Sequence, residues 1–141
     1  MASYEEKREN IPYQNTIQSE LAKEYNLNSD NIKLFVYRPR KLSGFAIEYN
    51  VNVSDSLSAR MYNGNYELIE LDKSGEYKIS AKTEDNKVII VTLEKGKTYY
   101  LRCTVGVGLF IGRPKFDFVE PYVGEGDIYD LRNREQKKKN K

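Results

Sequence analysis

From residue 33 onward the apolar positions of this chain recur with a period of two. In FAIEYNVNV (45–53), Phe45, Ile47, Tyr49, Val51 and Val53 fall on one face. Ala46, Glu48, Asn50 and Asn52 fall on the other, the pattern of a half-buried strand. KLFVYR (33–38) differs in carrying apolar residues on both faces, and Pro39 ends it while biasing Arg38 toward extended geometry. SARMY and YELIEL flank Asn63-Gly64, a pair that predicts a type I′ hairpin turn because both positions tolerate positive φ. Further turns are expected at Asp72–Gly75, at Asp85-Asn86 and at Lys95-Gly96-Lys97. They separate EYKISAK, with Tyr77, Ile79 and Ala81 inward, from KVIIVTLE and TYYLRC. The expectation is a mainly β fold, an antiparallel β-sandwich of about seven to nine strands in a meander.

Ahead of the strands the period is helical. In NTIQSELAKEYN (15–26), Asn15 and Gln18 have capping-box spacing, and Ile17, Leu21 and Tyr25 make one stripe ending at Asn26. The division expected is a polar leader or tether at 1–14, one domain at 15–122 with its N-terminal helix at 15–26, and a basic tail at 123–141. That tail opens as a weak C-terminal helix, with Asp127 capping and Ile128 and Leu131 one turn apart.

The glycine-rich stretch TVGVGLFIGRP (104–114) is the strongest candidate for chemistry. A Walker loop needs four residues between its glycines and then Lys-Ser/Thr; here Gly106 and Gly112 enclose five, and Arg113-Pro114 follows. A dinucleotide fingerprint fails too, since the last glycine comes one residue late and Pro114 stands where a helix should begin. Written as a strand, 98–113 is coherent. Tyr99, Leu101, Cys103, Val105, Val107, Leu109 and Ile111 share an apolar face, and Gly106, Gly108, Phe110 and Gly112 lie on the other. The reading is one long strand, or two joined by a bend at the glycines. Cys103 is then a core residue, and bare Gly106 and Gly108 are covered by a neighbour or open to a partner.

Composition narrows the chemistry. The 141 residues contain no histidine and one cysteine, so the commonest general base and metal ligand is missing and no internal disulfide forms. No metal or cofactor is expected, and no catalytic residue. Glu48, Glu67 and Glu70 show only outward strand alternation. The net charge of +2 conceals an asymmetry: residues 131–141 carry six basic residues and one acidic, leaving the remainder at −3. A basic body suited to nucleic acid is absent. No apolar run approaches the roughly 18 residues needed to span a bilayer.

FVYRPRKLSGFAIEYNVNV, YNGNYELIEL, GEYKISAKTE and LEKGKTYYLRCTVGVGLFIGRP, in that order, resemble a bacterial family catalogued as domain of unknown function 2846. The resemblance spans roughly 33–120, with Tyr-Arg-Pro at 37–39 and Gly-Arg-Pro at 112–114 as its most specific marks. It implies a small β-sandwich akin to carbohydrate- or peptidoglycan-associated modules. It also implies an envelope setting, because members are mostly small envelope proteins and many are lipoproteins. No catalytic residues carry over. On this basis the bacterial cell envelope, on the periplasmic side, is expected over the cytoplasm. Residues 1–16 would form a tether, with a membrane link only through a lipid anchor attached upstream.

The functional expectation is a non-enzymatic envelope module, a lipoprotein, binding a protein or cell-wall partner. The alternative is a glycan-binding sandwich using tyrosine faces such as Tyr62, Tyr66 and Tyr100. The expected partner surface comprises Arg38, Arg113, Gly106, Gly108, Phe110 and Tyr100. Within it the two Arg-Pro corners offer guanidinium groups to a carboxylate or phosphate, or else satisfy local carbonyls.

Overall fold

A computed structural model of the chain describes residues 20, 23–24, 27–41, 47–83, 86–106 and 113–139. Among them are eight strands and one long helix. β1 (Ile32–Tyr37), β4 (Tyr66–Leu71), β7 (Thr98–Val105) and β8 (Pro114–Val119) form the first sheet, in the order β4-β1-β7-β8. β2 (Tyr49–Val53), β3 (Leu57–Met61), β5 (Gly75–Lys82) and β6 (Asn86–Leu93) form the second, in the order β3-β2-β5-β6. The helix α1 (Pro121–Lys139) packs on the outer face of the first sheet.

The alternation expected of the strands is present. On β2, Tyr49, Val51 and Val53 are buried while Asn50 and Asn52 are exposed. They meet Ile79 and Ala81 of β5, Ile32, Leu34 and Val36 of β1, and Leu101 and Cys103 of β7 between the sheets. Each such side chain removes apolar surface from water at about 25 cal/mol per Å². Cys103 sits within this core, where burial pushes its thiol above the ordinary range. Tyr49 stays polar at one end, its hydroxyl donating to the Thr104 carbonyl at 2.8 Å.

Three expectations are corrected. The pairing is not purely antiparallel, because β1 and β7 run parallel. The chain changes sheets after β1, β3, β4 and β6, so β7 re-enters the first sheet from the second rather than from a neighbouring hairpin. Asn63-Gly64 does not join paired strands either. It carries the chain from β3 in one sheet to β4 in the other. Gly64 has φ 79°, and among the described residues Ser54 is the only non-glycine at positive φ, so the mirror-image turn is not formed. Asn65 completes this corner. Its side chain accepts from the Tyr62 amide and donates to the Arg60 carbonyl, both at 2.8 Å, replacing ladder bonds that strand pairing would supply.

The third correction is to the start of the expected C-terminal helix, which is present but begins at Pro121 rather than at Asp127. Residues 123–139 continue a helix that starts at Pro121, a residue suited to the first helical position because it has no N–H to leave unsatisfied. Val123 and Gly124 donate to the Glu120 carbonyl at 2.9 and 3.0 Å, closing the first turn. Ile128 and Leu131 are buried against Phe35, Tyr37 and Tyr100. The first sheet is therefore covered on both faces, which is why β1 is apolar on both. The expected helix 15–26 falls mostly outside the described residues. No helix among the described residues is long and apolar enough to cross a membrane.

Candidate functional site

The helix is held on the sheet by a close approach and two hydrogen bonds. A Cβ on Gly124 would stand 2.3 Å from Cγ of Tyr100, so only glycine lets the helix backbone come down onto that ring. Tyr100 cannot swing aside freely. Its ring stacks on Phe35 with centroids 5.0 Å apart, and its hydroxyl lies 3.1 Å from Oε1 of Glu125. Two residues further, the Tyr37 hydroxyl donates to Oδ2 of Asp127 at 2.7 Å. Burial, reinforced by that carboxylate, pushes the Tyr37 phenol above its ordinary pKa.

At the far edge of the sheet Arg132 makes the last contact. Its Nη1 donates to the Tyr66 hydroxyl at 2.9 Å, and its guanidinium faces Glu24 at 3.4 Å and Glu20 at 3.5 Å. Burial alone would lower its pKa, but Tyr66 and Glu24 more than offset that and raise it.

Beyond Arg132 the helix runs past β4, the edge strand. Leu131, Glu135 and Lys138 continue the stripe begun by Gly124 and Ile128, and Arg134 lies beside it. The stripe is apolar where it meets the sheet and charged where it overhangs. Beneath the overhang lie the Asn63-Gly64 corner and Arg40, whose stem passes 3.5 Å from where a Cβ on Gly64 would be. Between them is an open groove of about 400 Å³. Arg40, Arg132, Arg134 and Lys138 line it against Glu24 and Glu135, with Tyr62 and Tyr66 supplying aromatic surface. Four cations oppose two carboxylates, one of which already faces Arg132. Tyr62 is 50% exposed.

The surface expected from the sequence is distributed differently. Arg38 is 3% exposed and donates through Nη1 to the Ile47 carbonyl, so its guanidinium serves a strand-end carbonyl. Burial lowers its pKa, against the pull of Tyr49, Cys103 and Glu48. Tyr100, at 2%, is buried beneath α1. Gly106 and Arg113 form the base of the β7–β8 hairpin, the Gly106 amide donating to the Arg113 carbonyl at 2.8 Å. Val105 pairs with Pro114, so the chain reverses between them; β7 ends at Val105 and β8 begins only at Pro114, and residues 107–112 of the expected strand lie outside the described residues. Gly108 and Phe110 lie outside the described residues.

The groove cations sequence reasoning missed are Arg40, Arg132, Arg134 and Lys138. Their signal was split between RPRK at 38–41 and a basic run that reads as a solvated tail. Among the described residues no group of three metal-ligating side chains gathers. Glu48 faces Arg60 at 3.6 Å, Glu67 accepts from the Arg60 amide at 2.7 Å, and Glu70 accepts from the Asn28 amide at 2.8 Å, so each outward carboxylate has a local partner.

A second concavity, of about 340 Å³, opens at the opposite edge of the first sheet, between β6 and β8. It is apolar, with Val91, Leu93, Tyr99, Phe118 and Val119 in its wall. The outer face of β6 beside it leaves Val88 51% and Ile90 68% exposed.

A family model described as protein of unknown function DUF2846 matches residues 28–112, more than half of the chain. The chain belongs to this family. The DUF2846 match runs from the approach to β1 to the end of the glycine segment. It takes in Arg40 and the Asn63-Gly64 corner, one wall of the groove, while β8 and the overhanging α1 lie outside it. No curated protein matches the chain.

Proposed function

We propose that this DUF2846 chain is a non-enzymatic binding module of the bacterial cell envelope that engages a protein or cell-wall partner through the groove under α1. The observation that carries this reading is the convergence there of Arg40 with Arg132, Arg134 and Lys138, from elements about ninety residues apart in the chain. A merely solvated basic tail would not meet a cation from the end of β1 across a shared concavity beside two tyrosines. A histidine-free sequence supports binding over catalysis, since proton transfer near neutral pH most often uses that residue. The envelope setting rests on the resemblance to small envelope lipoproteins, and in this reading a lipid anchor and the polar segment 1–16 tether the domain.

The test is capture from a fractionated envelope, using purified cell-wall sacculi and detergent-extracted envelope proteins as separate baits. Wild-type protein is expected to be retained by one of them, and the double charge reversal Arg40→Glu/Arg134→Glu to lose retention with its melting temperature unchanged. Retention undiminished by the double reversal would remove the groove as the recognition surface.

A second reading has its own observation. β6 is an edge strand with one lysine, no proline, and the exposed Val88 and Ile90 beside an apolar cleft. Such an edge accepts an added strand from a partner protein. Loss of protein capture by Ile90→Lys, with the charge reversal silent, would favour it.

A further inference from the structure

We infer that the ligand of the groove is an acidic glycan, a chain of sugars bearing carboxylate or phosphate groups. This rests on the groove being the recognition surface proposed above and names its chemistry.

The charge comes first. Arg134 and Lys138 are four residues apart on one helix face, a like-charge spacing that disfavours the helix slightly. The helix dipole accounts for cations in the last turn, but not for Arg134 farther back nor for Arg40 on another element. Among the described residues no ion pair engages Arg40, Arg134 or Lys138, whereas Arg132 is occupied by Tyr66, Glu20 and Glu24. The three cations therefore surround a space that an anion would fill with favourable contacts on several sides. Arginine suits it, because its planar fork matches a carboxylate or phosphate in two parallel hydrogen bonds.

The aromatic surface selects the carrier. Tyr62 is half exposed on the groove floor, and its backbone is fixed by the Asn65 side chain accepting its amide. An aromatic ring with an open face accepts the C–H face of a sugar, and its phenol can bond sugar hydroxyls. An acidic peptide needs the cations but has no use for that face. The volume of about 400 Å³ lies within the small-ligand range of about 300–1,000 Å³.

The experiment titrates the whole chain with three probes by calorimetry at low and physiological salt. They are galacturonic acid oligosaccharides, neutral cellulose-derived oligosaccharides of equal length, and poly-glutamate of equal charge. We expect the acidic sugars to bind and the neutral ones to bind at least tenfold more weakly. Arg40→Gln, Arg134→Gln and Lys138→Gln should each weaken the acidic sugar about two- to fivefold, the range of single exposed charge contacts. Tyr62→Ala should weaken it further without altering the salt dependence. All four side chains are exposed, so unchanged melting temperatures will separate binding from folding. Poly-glutamate bound as tightly as the sugar, with Tyr62→Ala silent, overturns the glycan class in favour of acidic protein while leaving the groove as the site. Equal binding of neutral sugars overturns the acidic requirement. No binding of the acidic sugar, when sacculi or envelope proteins are captured through the groove, overturns this inference alone. Capture insensitive to every groove variant overturns the proposal on which it rests.

Discussion

Gly124→Ala is the most incisive test of how this domain is built. At an ordinary helix position the substitution would stabilise by about 1 kcal/mol, because alanine loses less backbone entropy. Here the new methyl would lie 2.3 Å from Cγ, and 2.5 Å from Cβ and Cδ1, of Tyr100, where carbon atoms prefer about 3.5–4.0 Å. The offending atoms are at the root of the side chain, so rotating a flexible tip cannot relieve the contact. Either α1 lifts by about 1 Å or more, or Tyr100 leaves its stack on Phe35 and its contact with Glu125. Overpacking costs about 1–3 kcal/mol, and giving up the buried Tyr100–Glu125 hydrogen bond about 1–2 more. Set against the propensity gain, the net expectation is a loss of about 1–4 kcal/mol. At about 3 °C per kcal/mol for a domain of this size, the melting temperature should fall by about 3–12 °C. Urea denaturation followed by circular dichroism reads the free energy directly. The control is the same change made in a Tyr100→Ala background, where the ring is gone and Gly124→Ala should be neutral or stabilising. A wild-type background in which Gly124→Ala stabilises would refute the close approach.

Tyr37→Phe removes the donor to Asp127 without changing ring packing, and the partly buried carboxylate left behind should cost about 1–3 kcal/mol by the same denaturation assay. Stability should also fall at alkaline pH. Burial raises the ionisation of Cys103, Tyr37 and Tyr49 above their ordinary values of 9.0 and 10.0, so the folded chain holds protons that the unfolded chain releases. Their contribution is fully present below pH 9 and declines above it, first through Cys103 and from about pH 10 through the tyrosines, each adding about 1.4 kcal/mol per pH unit. Urea midpoints from pH 8 to 10.5 will show this, and Cys103→Val should move the onset up to about pH 10. A flat profile would mean these groups ionise in place.

What the sequence made legible was whatever depends on period and parity. The alternation of β2 and β5 and the inward Cys103 follow from side chains pointing to opposite faces; the reversal after Val105 did not. KLFVYR even announced a strand covered on both sides, although what covered it was not evident. The connections were not legible, because Asn63-Gly64 turns the chain equally well within a sheet or between two. Nor was α1. Its buried stripe holds only Gly124, Ile128 and Leu131, and glycine near a helix start reads as weakness unless the ring it accommodates is known. Tyr37 and Tyr100 hold that helix through hydroxyl-to-carboxylate bonds, a device invisible to hydrophobic pattern.

The same helix makes the groove, which ties stability to recognition in a particular way. At 19 residues α1 is about 28 Å long, and it is clamped to the sheet only through its first dozen residues. The remaining turns, carrying Arg134 and Lys138, have their height above the Asn63-Gly64 corner set by how closely Gly124 seats on Tyr100. A methyl at Gly124 acts at one end of a stiff rod, so lifting it there tilts the cations at the other. Gly124→Ala should therefore weaken groove binding as well as folding, at temperatures where the domain is still folded. Arg134→Gln should weaken binding alone. If Gly124→Ala lowered the melting temperature while leaving groove affinity intact, the overhang would have to be positioned independently, by Arg132 and its contacts with Tyr66 and Glu24.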